Sequence, residues 1–129
     1  MKIEHLALWT NQLEVMKDFY CRYFDGKAGE KYVNHFKGFE SYFITFDDGA
    51  RLELMNTTGI VEQETFEMIA ALGLTHFAFS VGNELEVRRL TERIRSDGHT
   101  VTSDARLTGD GYLESVILDP DGNCIELTT

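Results

Sequence analysis

Two histidines and two glutamates recur at matching positions along the 129 residues of this sequence. His5 is the third residue of IEHLALWTN and His76 the third of LTHFAFSVGN, while Glu53 and Glu126 lie within RLELM and NCIELT. His5 precedes Glu53 by 48 residues and His76 precedes Glu126 by 50, a difference that loops can absorb. A single histidine or glutamate in a strand is more often exposed or hydrogen-bonded, but the repeated set favours metal binding. Nitrogen and oxygen ligands of these types suit Zn, Ni, Co, Fe or Mn.

Strand alternation predicts on which face of a sheet these residues lie. Successive side chains of a strand point to opposite faces, so His5 shares a face with Trp9 and lies opposite Leu6. Glu53 and Glu126 likewise face away from the apolar residues on either side of them. Two imidazoles and two carboxylates on the inner face of a sheet are costly to leave unpaired. The sequence therefore predicts one divalent ion bound by all four side chains.

The elements that must position these residues also occur twice. After each histidine-bearing strand comes an asparagine, Asn11 or Asn83, with Glu14 or Glu86 three residues later, which is the pairing typical of a helix start. Helices are predicted over 12–24 and 84–96, and a bridging helix over 61–72. Strands are predicted over 27–34, 41–47 and 50–56 in the first copy, and over 99–107, 112–118 and 123–128 in the second. The order is βαβββ, helix, βαβββ.

Composition limits the classes of function. A single proline and the lack of a low-complexity linker favour one domain over 1–129, with module 1 about 1–57 and module 2 about 74–129. A formal charge of −10 disfavours nucleic acid and anionic membrane partners. No apolar run approaches the ~20 residues of a membrane span. Cys21 and Cys124 have no disulfide or CxxC pattern, which favours free thiols and a cytoplasmic location.

The segments IEHLALWT, THFAFSV and DPDGNCIEL resemble the vicinal oxygen chelate superfamily over nearly the whole chain. That superfamily includes glyoxalase I, methylmalonyl-CoA epimerase, extradiol dioxygenases, and fosfomycin and bleomycin resistance proteins. The resemblance implies an α+β fold in which two paired βαβββ modules form a curved mixed sheet around a metal cleft, with one divalent metal per site. It also implies a homodimer, in which the ligands meet within one chain or across two.

Within the superfamily, the order His5, Glu53, His76, Glu126 is similar to that of glyoxalase I. Epimerases usually have Gln in place of Glu53, and the dioxygenases and fosfomycin enzymes use three ligands. The resemblance implies a metal-dependent lyase or isomerase that chelates vicinal oxygens of a small metabolite. Glu126 or Glu53 would act as general base and move a proton through an enediolate-like intermediate.

The thiol-cofactor site departs from glyoxalase I. Trp9 stands four residues after His5, and Thr57 stands four residues after Glu53. Bacterial and animal glyoxalase I have Arg at the position of Trp9, where it holds a glutathione carboxylate. Glutathione-dependent lactoylglutathione lyase activity is therefore not expected. Trp9, Arg51 and Met55 share the ligand face and are candidates for a substrate pocket. Arg51, as an arginine at a strand end, is more often solvated or salt-bridged, and the other two could equally serve packing or a dimer contact. Two alternatives stay open: a non-catalytic small-molecule binding or resistance protein, and an Fe(II) extradiol-type dioxygenase, against which the second glutamate counts.

Overall fold

The computed structural model of the chain describes residues 1–61, 72–109 and 111–129. The chain divides into two compact units, Met1–Thr65 and Phe66–Thr129, called the first and second unit below. The helix predicted over 61–72 lies, apart from its end residues, outside the described residues. In the described part of the chain, no helix is both long enough and apolar enough to cross a membrane.

The first unit is a mixed sheet with one helix on it. Its strand order is β1-β5-β4-β2, with β3 also paired to β4; β1 runs parallel to β5 and the other pairs are antiparallel. The segment predicted as one strand over 27–34 is instead two short strands, both antiparallel to β4 and separated by residues 29–31. The elements are β1 (His5–Trp9), α1 (Leu13–Tyr23), β2 (Lys27–Ala28), β3 (Tyr32–Asn34), β4 (Phe39–Thr45) and β5 (Arg51–Thr57).

The second unit repeats this arrangement. Its strand order is β6-β9-β8-β7, again with the first and last strands parallel neighbours and the others antiparallel. The helix predicted over 84–96 has the expected bounds. The elements are β6 (Phe77–Ser80), α2 (Glu84–Ser96), β7 (Val101–Leu107), β8 (Leu113–Leu118) and β9 (Cys124–Thr128). The α+β class and the repeated strand–helix–strand order are therefore confirmed.

Each helix covers one face of its sheet and leaves the other face, which carries the candidate ligands, uncovered by that helix. In the first unit, α1 packs on β4 and β5, and Tyr20 of the helix, Ile44 of β4 and Leu54 of β5 are all fully buried. In the second unit, Ile94 of α2 and Ile125 of β9 are fully buried in the same way. Burying one such side chain stabilises the fold by about 1.5–3 kcal/mol, so the apolar positions of the alternating pattern fix which face is turned away from the helix. We call that other face the ligand face.

The two helix starts differ, and one predicted cap is wrong. Asn83 is the N-cap of α2, and its side chain accepts a hydrogen bond from the amide of Glu86. In the first unit the N-cap is Gln12 rather than Asn11, and it makes no side-chain capping bond. There Thr10 is buried, and its hydroxyl accepts a hydrogen bond from the Gln12 amide instead. This local bond moves the helix start one residue past the predicted asparagine.

Candidate metal centre

The first histidine–glutamate pair lies on the two parallel strands of the first unit. His5 is the first residue of β1 and Glu53 the third of β5, and the register places Ala7 directly beside Glu53. Both side chains therefore occupy the ligand face, one residue pair apart along the strands. His5 Nε2 lies 3.8 Å from a carboxylate oxygen of Glu53.

The second pair has the same placement. His76 immediately precedes β6, and Glu126 is the third residue of β9, directly beside Ala78. His76 Nε2 lies 3.7 Å from a carboxylate oxygen of Glu126. The repeated spacing in the sequence thus corresponds to a repeated distance between side-chain atoms, because both units place their first and last strands side by side.

These distances suit two ligands of one ion better than a hydrogen bond. A nitrogen–oxygen separation of 3.7 or 3.8 Å exceeds hydrogen-bonding range. Two ligand atoms each about 2.1 Å from a tetrahedral ion lie about 3.4 Å apart. A shift of the side chains by a few tenths of an ångström would therefore let either pair bind an ion. Among the described residues, neither carboxylate has a hydrogen-bond partner that would compete with a metal.

Exposure in the pairs is divided between the two side-chain types. The carboxylates are largely shielded, with side-chain exposures of 16 % for Glu53 and 19 % for Glu126, whereas His5 and His76 are 40 % and 45 % exposed. Among the described residues, no group of three or more His, Cys, Asp or Glu side chains is arranged to hold a metal ion. The arrangement that the structure shows is therefore the pair, once in each unit.

Glu4 and Arg51 lie beside the first pair. His5 Nδ1 lies 2.5 Å from one carboxylate oxygen of Glu4, and Arg51 Nε donates a hydrogen bond to the other oxygen over 2.8 Å. The pKa of Glu4 lies below its ordinary value, chiefly because of the hydrogen bond from His5, and Arg51 lowers it further. The Arg51 guanidinium also stands over the ring of Phe43 at 4.1 Å. Arg51 is thus salt-bridged to Glu4. Its position at a strand end had favoured a salt bridge over a role in the substrate pocket.

The sequence patterns did not identify Glu4 as a site residue, because the alternation of strand side chains does not extend to it. It precedes β1, so its side chain is free to turn towards its neighbour His5 rather than point to the opposite face. The only signal in the sequence was adjacency to a candidate ligand. Strand alternation does predict that Phe43 lies on the ligand face, because its neighbour Ile44 is buried on the other face of β4. The register of the sheet then places Phe43 directly beside Glu53.

An aromatic row lies next to the pair on the ligand face of the first unit. Trp9 is paired in register with Met55, the next ligand-face position after Glu53. Trp9 is 51 % exposed and meets Phe39 edge-on with ring centroids 6.2 Å apart, and Tyr32 lies 6.1 Å from Phe39. Sequence reasoning singled out Trp9 and Met55 but not the two further rings. The corresponding first strand of the second unit, β6, carries only small residues on this face, at Ala78 and Ser80.

Comparison with known proteins places this geometry in context. The family model described as Glyoxalase/Bleomycin resistance protein/Dioxygenase superfamily matches residues 2–127. No curated protein matches the sequence. Among solved structures, glyoxalase I from Zea mays is 21 % identical with a TM-score of 0.79, and the match covers 98 % of this chain and 44 % of that one. The chain thus spans less than half the length of the maize protein.

Two further solved structures match over most of both chains. A glyoxalase family protein from Enterococcus faecalis is 22 % identical with a TM-score of 0.79, covering 99 % of this chain and 97 % of that one. The trypanothione-dependent glyoxalase I of Leishmania major is 19 % identical with a TM-score of 0.75, covering 98 % and 85 %. At such identities the likeness shows the fold.

Proposed function

Because the chain belongs to the glyoxalase/bleomycin resistance protein/dioxygenase superfamily, we propose that it is a metal-dependent lyase or isomerase of the glyoxalase type. In this proposal His5, Glu53, His76 and Glu126 together bind one divalent ion, Zn, Ni, Co, Mn or Fe. The observation that carries it is the duplicated pair, with nitrogen–oxygen distances of 3.8 and 3.7 Å. A pair supplies two protein ligands, fewer than the three or four that such ions usually take from a protein, which supports a site made of both pairs.

The four side chains divide the chemistry between them. When bound, a divalent ion supplies a Lewis acid that stabilises negative charge developing on two vicinal oxygens of a small metabolite. The imidazoles of His5 and His76 direct Nε2 towards the neighbouring carboxylate and would hold the ion between the two side chains. Glu126 or Glu53 moves a proton at a carboxylate oxygen as general base, through an enediolate-like state of the substrate. Their low exposure keeps water away from that oxygen.

The aromatic row indicates what the substrate carries next to its oxygens. Trp9, Met55, Phe39 and Tyr32 offer an apolar wall one ligand-face position from Glu53. Trp9 stands where bacterial glyoxalase I has Arg, and Arg51 is engaged with Glu4. We therefore propose a metabolite with an apolar or aromatic group beside its chelating oxygens, and no glutathione carboxylate at this position.

The direct test is metal analysis followed by an activity screen. Protein purified without chelator is analysed for bound metals, then loaded with each candidate ion and assayed with hemithioacetals, 2-oxoacids and epimerisable thioesters. Glu53→Gln should abolish turnover. Glu40→Gln should retain it, because Glu40 lies on the opposite face of β4 and binds Lys31. Absence of any stoichiometric divalent ion, both as purified and after loading, would sink the proposal.

A second candidate is a small-molecule binding protein that performs no chemistry. The half-exposed Trp9 meets Phe39, which in turn lies beside Tyr32, and this partly exposed aromatic surface could bind an apolar ligand without any chemistry. Saturable quenching of the fluorescence of Trp9, the only tryptophan, by a ligand that is never converted would select this function.

We also propose that residues 1–129 work as one glyoxalase-like domain within a cytoplasmic homodimer. Mixing two inactive variants tests whether the pairs meet within a chain or across copies. A heterodimer of Glu53→Gln with Glu126→Gln contains one intact ligand set if the pairs meet across copies, and none if they meet within a chain. In a random 1:1 mixture about half of the dimers are heterodimers, so recovery of about a quarter of the wild-type metal content assigns the first arrangement, and no recovery assigns the second.

A further inference from the structure

We propose that Glu4 and Arg51 are positioning residues that fix the ring orientation and tautomer of His5 and leave its Nε2 lone pair directed towards Glu53. The inference deepens the proposed function and rests on His5 acting as a metal ligand. It assigns no part in the chemistry to Glu4 or Arg51, both of which act through His5.

The tautomer follows from the hydrogen bond. Glu4 offers only an acceptor to His5 Nδ1, 2.5 Å away, so Nδ1 carries the proton. A neutral imidazole has one N–H, and Nε2 is therefore the unprotonated nitrogen. Nε2 is also the atom that lies 3.8 Å from the Glu53 carboxylate. The nitrogen available to a metal and the nitrogen beside the second ligand are thus the same.

Arg51 fixes the carboxylate that fixes the ring. The two oxygens of Glu4 have separate partners: one faces His5, and the other lies 2.8 Å from Nε and 2.5 Å from a terminal nitrogen of Arg51. The backbone reinforces this contact, because the Arg51 amide donates to the Glu4 carbonyl at 3.0 Å. Phe43 supports both sides, with the guanidinium over its ring and the His5 ring edge-on at 5.5 Å. Three side chains therefore restrict the imidazole.

At the corresponding described positions of the second unit, none of these three side chains is present. Thr75 stands where Glu4 would be, Cys124 occupies the position two before Glu126 that Arg51 occupies before Glu53, and Val116 faces Glu126 as Phe43 faces Glu53. Among the described residues, His76 has no hydrogen-bond partner. The two pairs reach nearly the same distance, yet only one histidine has its outer nitrogen bound. Since an outer carboxylate orients a ligating histidine and raises its basicity, the His5 side should be the pre-organised half of the site.

Nitrogen NMR of histidine-labelled, metal-free protein tests the inference without any activity assay. At about pH 8, where free imidazole is neutral, His5 should show the Nδ1–H pattern in the wild type. Glu4→Ala should convert it to a mixture of tautomers and leave His76 unchanged. Thr75→Ala, the matched substitution in the second unit, should leave the Nδ1–H pattern of His5 unchanged. An unchanged His5 pattern in Glu4→Ala overturns the inference.

Metal titration by calorimetry supplies the second readout. Glu4→Ala should weaken binding of Zn²⁺ by about 10–100-fold, the usual effect of losing an outer-shell partner, and Thr75→Ala by less than about twofold. Arg51→Ala should weaken it less than Glu4→Ala, and adding it to Glu4→Ala should have no further effect, because Arg51 acts through Glu4. A further loss in the double variant would overturn this role for Arg51.

The two readouts separate this inference from the proposed function. If the wild type binds no divalent ion but His5 loses its tautomer preference in Glu4→Ala, the positioning arrangement stands and the metal function fails. If Glu4→Ala keeps both the His5 pattern and full Zn²⁺ affinity, the positioning role fails and the metal function stands.

Discussion

Replacing Glu126 by Gln removes one proposed ligand while keeping the size of the side chain. In the metal-free protein the carboxylate is 19 % exposed and 3.7 Å from a His76 that is 45 % exposed, beyond hydrogen-bonding range. Losing so weak a pair changes the free energy of unfolding by less than about 1 kcal/mol. Without metal, Glu126→Gln and the wild type should therefore unfold within a few degrees of each other.

Metal should separate the two proteins. At a free ion concentration of about 100 times Kd, binding stabilises the wild type by about 2.7 kcal/mol, which raises Tm by about 8–14 °C for a chain of this length. Losing one of four ligands lowers affinity by about 100-fold or more, at least the upper end of outer-shell effects. At the same ion concentration only about 0.4 kcal/mol remains, or about 1–2 °C.

Thermal unfolding followed by circular dichroism, with and without the ion, measures this difference. Glu114→Gln is the matched control, because Glu114 lies on the ligand face of β8 and pairs with Thr128 rather than with Glu126. The control should keep the full metal-induced rise in Tm. A rise in Glu126→Gln equal to that of the wild type would refute its role as a ligand, and no rise in the wild type would refute the metal site.

Three further predictions concern the elements that hold the site. Leu54→Ala, at a fully buried position beside Glu53, should lower the free energy of unfolding in urea by about 2–5 kcal/mol; a loss under about 1 kcal/mol would mean that the site does not depend on this core. A hydrogen bond from Lys17 is the main cause that lowers the pKa of Glu14 from 4.5 to about 2. Its contribution, about 1 kcal/mol or less because Glu14 is half exposed, is complete above pH 4.5 and is lost as pH falls towards 2. Glu14→Gln should remove this part of the acid dependence, and an unaltered urea-midpoint profile between pH 2 and 5 would contradict it. Asn83→Ala should cost about 1 kcal/mol in the same urea assay, whereas Asn83→Ser, which keeps a capping oxygen, should cost much less; equal losses would argue against the cap.

Local patterns predicted the elements better than their exact ends. The helix over 84–96 was correct because Asn83 caps it through a bond to a residue three positions away, which sequence spacing encodes. The predicted cap at Asn11 was wrong. The hydroxyl of the buried Thr10 accepts a hydrogen bond from the Gln12 amide, and the carbonyl of Thr10 accepts one from the side chain of Asn56 in β5. The strand predicted over 27–34 is instead two short strands on β4, separated by residues 29–31. The cap error arose from hydrogen bonds that spacing along the chain could not show.

The sequence alone determined the ligand candidates and their faces. Alternation is a property of consecutive residues, so the positions of Leu52 and Leu54 in the core require Glu53 to point the other way. Only the tertiary structure decided that His5 lies 3.8 Å from Glu53, because that distance depends on β1 pairing parallel to β5 across 48 residues of chain. Sheet order and register are set by packing of the whole core and not by neighbouring residues. The same pairing brings Arg51 to Glu4, a contact that no spacing along the chain could reveal.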